Sequence, residues 1–143
     1  GYTKTTCISP NEVVCHGIPS PNVVLKDGDI INIDVAIIKD GYFGDTSRMY
    51  YVGTVKQEPK KLVDTTYEAM VAGFHAVKQG ATLGVIGYAF QTVAHREGYS
   101  VVREYCGHGF RLHKHLMAVL VRKLYHLILN GRTVPWSGSL NGS

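Results

Sequence analysis

Asp34 and Asp45 lie on either side of an Asp40-Gly41 turn signal, and a histidine follows later in Cys106-Gly107-His108-Gly109. Two carboxylates and an imidazole are ligands of the kind a hydrolytic metal centre uses. There a divalent ion lowers the pKa of a bound water and polarises a substrate carbonyl. Hard oxygen donors with one imidazole favour Mn, Co, Fe or Zn over a thiolate-type site. An aspartate inside an isoleucine-rich strand is costly unless something engages it, which speaks for Asp34 as a ligand. The plainer alternatives are a turn carboxylate for Asp45, beside Gly44, and a strand-capping role for His108. After Glu104 the sequence contains no Asp or Glu at all, although such a centre normally draws on more carboxylates.

The elements that must position these residues are legible in outline. Ile31, Ile33, Val35 and Ile37 alternate with Asn32, Asp34 and Ala36, which predicts a strand over 30–38. Asp40-Gly41 signals a two-residue hairpin turn, and 42–52 returns as the partner strand. That turn pairs Lys39 with Tyr42 and so puts Asp34 opposite Ser47. Asp45 then faces the same way as Asp34, with Cβ atoms roughly 7 Å apart on a diagonal. A bulge at Gly44 would break this register. The isoleucine face is left to pack on a helix. A further strand is predicted over 12–15. One helix is predicted over 59–78, with Val63, Tyr67, Met70, Phe74 and Val77 as its apolar stripe. A second starts at the N-cap Thr82 and ends near Gly98, with Ile86, Phe90 and Val93 inward. A strand over 99–106 follows, and the spacing of Leu112, Leu116, Val119, Leu120, Leu124 and Leu127 predicts a helix to about 129.

Composition bounds the rest. The 143 residues amount to one ordinary domain or part of a larger one. The sequence opens on Gly1, which reads as a processed or cut N-terminus, and no signal peptide is visible. No apolar run approaches the roughly 18 residues of a membrane-spanning helix. Three cysteines without a short metal spacing fit thiols in a reducing, cytoplasmic setting. Residues 1–109 hold all 11 acids and 10 of the 15 Lys/Arg, whereas residues 110–143 hold the other 5 and no acid. The basic pI therefore belongs to the tail, which reads either as a solvated terminus or as a contact for an anionic surface. It lacks the aromatic–basic interleaving of an RNA reader, so no specific nucleic acid is expected. His16 reads as a substrate contact, a proton-transfer group or a lone loop histidine. Cys7 and Cys15 have no adjacent base and are poor candidates for a nucleophile.

Four segments together resemble the type I methionine aminopeptidases. They are Asn11-Glu12-Val13-Val14-Cys15-His16-Gly17-Ile18-Pro19, Asp27-Gly28-Asp29-Ile30-Ile31-Asn32-Ile33-Asp34-Val35, Asp40-Gly41-Tyr42-Phe43-Gly44-Asp45-Thr46-Ser47 and Val102-Arg103-Glu104-Tyr105-Cys106-Gly107-His108-Gly109. The resemblance covers residues 1 to about 109. It implies the N-terminal half of an α/β (α+β) pita-bread fold, an antiparallel sheet covered by two helices, followed by a non-matching basic helical tail over 110–143. It implies metal-dependent removal of the initiator methionine from nascent chains, near the ribosome and away from membranes. Asp34, Asp45 and His108 match three of the family's five ligands for two divalent ions. His16 matches a substrate-contacting histidine, Tyr2 and Cys7 match the methionine side-chain pocket, and Asn11 and Val13 match part of a monovalent-cation site. Two glutamate ligands have no counterpart after Phe110, so the resemblance implies an impaired or inactive chain, a frameshift or truncated product, self-associating through its exposed half-sheet. The rival readings are a non-catalytic binding module and a pseudogene product.

Overall fold

The computed structural model describes residues 2–103 together with three short strand segments further on. In chain order the elements are β1 (Thr6–Pro10), β2 (Ile30–Lys39), β3 (Tyr42–Tyr51), α1 (Gln57–His75), α2 (Leu83–Arg96), β4 (Tyr99–Val101), β5 (Phe110–Leu112), β6 (His115–Met117) and β7 (Leu127–Leu129). The first three strands form an antiparallel sheet in the order β1-β2-β3.

The β2–β3 hairpin has the register its turn residues dictate. Asp40 and Gly41 both take positive φ, 52° and 81°, as a two-residue turn matching the strand twist requires. Lys39 pairs with Tyr42, Ile37 with Gly44 and Asp34 with Ser47, and no residue bulges out. Burial falls along the hairpin. Ile30 and Ile31 at its base are 8% and 5% exposed, while Ile37 and Ile38 near the turn are 58% and 67% exposed. On the face of Ile31, Ile33, Val35 and Ile37, burial thus declines from Ile31 through the half-buried Ile33 and Val35 to the exposed Ile37.

The strand expected over 12–15 lies earlier, at Thr6–Pro10. Asn11 turns the chain away with φ 48°, a conformation asparagine enters more readily than most residues. Its side chain bridges the two strands. The Asn11 Nδ2 donates to Asp29 Oδ1 at 2.9 Å, and Oδ1 accepts the Ile30 amide at 3.1 Å.

Helix α1 runs Gln57–His75 rather than 59–78, and it packs through a different face from the one its large residues suggest. Tyr67 and Phe74 are 59% and 68% exposed, whereas Thr65, Thr66, Ala69 and Gly73 are buried. The reason lies on α2, which buries Ile86, Phe90 and Val93 against Ala69. A side chain at Gly73 would overlap the Phe90 ring, so the small face lets the helices approach closely. Arg96 donates to both carboxylate oxygens of Glu68 at 2.8 Å and braces the pair at the surface. Among the described residues no helix is long and apolar enough to cross a membrane.

The predicted helix over the tail is not what the described backbone there adopts. Residues 110–112 and 115–117 form a hairpin, Leu112 opposite His115, and Leu127–Leu129 pairs with β4, Leu129 opposite Tyr99. Short apolar runs serve a strand as readily as a helix, and the open edge of β4 supplies a partner. The strand predicted over 99–106 is seen as Tyr99–Val101. Residues 104–106 lie outside the described residues.

Candidate metal-centre face

Directly opposed residues of an antiparallel pair share a face, so the register builds the site row by row. Cys7, Asp34 and Ser47 form one row across β1, β2 and β3, and Ser9, Asn32 and Met49 form the next. Asp45 lies in the following row opposite Ala36, diagonal to Asp34. Asp34 and Asp45 therefore present their carboxylates on one face. On β3 it is the more sheltered of the two. Asp45, Ser47 and Met49 are half-buried, while Thr46, Arg48 and Tyr50 on the other side of β3 are exposed.

The face is polar beyond its carboxylates. The Ser47 hydroxyl donates to Asn32 Oδ1 at 3.0 Å. The Asn32 Nδ2 is buried and finds no acceptor among the described residues. Such a donor costs about 1–3 kcal/mol unless something meets it. Hard oxygen donors on a sheltered surface suit a divalent cation. Among the described residues no three His, Cys, Asp or Glu side chains converge to hold one, and His108 lies outside the described residues. The residues present fit a metal centre as two donors of a larger set.

His16 sits on a loop held against the outer edge of β1. The Ile8 amide donates to the Gly17 carbonyl at 2.9 Å, and the Gly17 amide donates to Ser9 Oγ at 3.1 Å. A side chain at Gly17 would overlap the Ile8 carbonyl oxygen, so only glycine permits this approach. His16 itself has φ 54° and is exposed. β1 thus stands between the His16 loop and the Asp34 strand. Tyr2 reaches the same loop, its hydroxyl hydrogen-bonded to the carbonyls of Thr6 at 2.8 Å and Gly17 at 3.0 Å. Burial of the hydroxyl, a hydrogen bond with Cys7, and the charges of Cys7 and Asp34 push the Tyr2 pKa up to about 12.

The structure thus brings Asp34, Asp45 and Cys7 to one face and sets the His16 loop and Tyr2 along its β1 border. Cys7 and Cys15 form no disulfide. The Asn11 side chain is spent on bridging β1 to β2, and the Val13 amide bonds to the Pro10 carbonyl at 3.0 Å. Ser9, Asn32 and Ser47 carry no ligand signature of their own in the sequence. The signal that finds them is strand parity with Asp34.

Comparison with known proteins bears on the family and the fold. The methionine aminopeptidase of Rickettsia prowazekii is 58% identical over 109 residues, which is 76% of this chain and 42% of that protein. The Escherichia coli K12 methionine aminopeptidase is 54% identical over 109 residues, 76% of this chain and 41% of the relative. The chain therefore spans under half the length of these relatives. The R. prowazekii crystal structure superposes with a TM-score of 0.74, covering 76% of this chain and 44% of that one. The Thermotoga maritima methionine aminopeptidase structure does so at 0.70 with 38% identity, covering 73% and 42%. The Pyrococcus furiosus prolidase, 22% identical with a TM-score of 0.61 over 67% of this chain and 29% of that one, shares the fold alone. The sheet and two helices are about half of this pita-bread fold. The model of Metallopeptidase family M24 matches residues 1–134, a longer stretch than the 109 residues over which these two relatives align. With two relatives above half identity and a family match over most of its length, the chain belongs to metallopeptidase family M24.

Proposed function

We propose that this chain derives from a metal-dependent aminopeptidase that removes the initiator methionine from nascent cytoplasmic proteins, and that by itself it retains the first half of that site. The observation that carries the reading is the hairpin register, which sets Asp34 and Asp45 on one face. Asp34, Asp45 and His108 would hold the divalent ions, two in the family. When bound, these supply activation of water and polarisation of the methionyl carbonyl. His16 would contact the substrate near the scissile bond, with Tyr2 and Cys7 beside the methionine side chain. Asn11 and Val13 would border a monovalent-cation site.

Five donors are needed and three are supplied. The sequence has no acid after Glu104, so no carboxylate from the tail neutralises the second ion or takes the proton of the attacking water. We therefore read the isolated polypeptide as a weak metal binder with impaired hydrolysis. Residues 1–109 are the catalytic-domain portion and 110–143 a basic extension. The test is methionine release from a Met-Ala peptide with Mn²⁺ or Co²⁺ added, beside an Asp34→Ala control. Release no greater than the control is expected. Release that disappears in the control would overturn the impairment and mean that another chain completes the site.

A further inference from the structure

His16 holds a left-handed backbone conformation, φ 54°. For a non-glycine residue this costs of order 1 kcal/mol or more and persists only where the surroundings impose it. Among the described residues, three contacts that hold it pass through the next residue. Gly17 gives its amide to Ser9, its carbonyl to the Ile8 amide and the same carbonyl to the Tyr2 hydroxyl. Two of the three come from β1 itself. The third comes from Tyr2, whose hydroxyl shares its single proton between this carbonyl and that of Thr6 and so spans β1 and the loop.

We propose that Tyr2 is a positioning residue: its hydroxyl ties the His16-Gly17 peptide to β1 and thereby sets where the imidazole stands relative to Asp34. The proposal rests on the substrate-contacting role given to His16 above. It differs from pocket lining, for which the Tyr2 ring would serve with or without its hydroxyl. The chain of contacts is short. Tyr2 meets Gly17, Gly17 meets Ile8, and Ile8 follows Cys7, the residue opposite Asp34.

The experiment is Tyr2→Phe in the full 143-residue chain, followed by the NMR signals of the His16 imidazole and by exchange of the Ile8 amide. The expected result is a displaced His16 signal and Ile8 exchange faster by about fivefold, the equivalent of one neutral hydrogen bond. The Ala69 and Ile31 amides should stay unchanged. A Tyr2→Leu variant should show the same pattern, and 3-fluorotyrosine at position 2, which keeps the hydroxyl, should restore His16. An unmoved His16 signal with unchanged Ile8 exchange would overturn the proposal. So would global loss of Ala69 protection in both variants, because the role would then be one of stability and not of local placement. A separate Mn²⁺ titration of the unsubstituted chain tests only the metal reading. Absence of broadening around Asp34 would remove that reading and leave the Tyr2 result standing.

Discussion

Asp34 lies directly opposite Ser47 across the β2–β3 hairpin, and Asp45, two residues before Ser47, thereby shares its face. The pairing follows from Asp40 and Gly41 at the turn, both at positive φ. A one-residue slip would send one carboxylate to each side of the sheet. The turn therefore decides whether the two carboxylates can act together.

The packing of α1 on α2 through Gly73 predicts a steep local cost. Gly73→Ala forces a methyl into the Phe90 ring and should destabilise by about 1–3 kcal/mol, as overpacking does. Urea unfolding reads this directly. Combining Gly73→Ala with Phe90→Leu should recover part of the loss. An unchanged midpoint for the single variant would mean that the helices do not meet at this position.

Asn11 closes the base of the sheet through two side-chain bonds, to Asp29 and to the Ile30 amide. Asn11→Ala removes both and also places alanine at φ 48°. The expected loss is about 1–3 kcal/mol, with faster amide exchange at Ile30. Equal stability would show that the bridge contributes nothing in solution.

The Tyr2 hydroxyl predicts a pH dependence. Its pKa is raised from 10.0 to about 12 in the folded chain. A group whose folded pKa is raised contributes stability that is present below the unfolded value and lost as pH rises through the folded one. The β1–His16 loop contact should therefore weaken between pH 10 and pH 12. Phenolate absorbance of the chain compared with Tyr2→Phe should isolate a tyrosine titrating late. A Tyr2 that ionises with the free phenols would contradict the geometry.

Ile38 and Phe43 face each other near the hairpin tip, 67% and 50% exposed. Exposed apolar surface beside the edge of β3, which pairs with no further strand among the described residues, favours association. Replacing both residues with lysine should shift sedimentation velocity toward the monomer. A parent chain that is already monomeric at the same concentration would dispose of the idea.

What the sequence made legible depended on how much each signal was local. The hairpin and its register follow from two adjacent turn residues, and Ile86, Phe90 and Val93 of α2 follow from helical spacing. The packing face of α1 does not, because Tyr67-Met70-Phe74 and Thr66-Ala69-Gly73 repeat with the same period. The choice between them depends on the Phe90 ring of another helix. β1 escaped notice because Thr6, Cys7 and Ser9 are small and weakly apolar, and it is defined only by pairing with β2. Of the site, Asp34 and Asp45 are legible by type and spacing. Ser9, Asn32 and Ser47 carry no ligand signature and emerge only from the rows that pairing creates.

The most direct measurement of the central claim is Mn²⁺ binding to the purified chain, followed by electron paramagnetic resonance, beside Asp34→Asn and Asp45→Asn. If the two carboxylates share one ion, each variant should weaken binding by about tenfold or more, ~1.4 kcal/mol, and the double variant little further. Full-strength binding in both single variants, or none in the unsubstituted chain, would contradict a metal centre on this face.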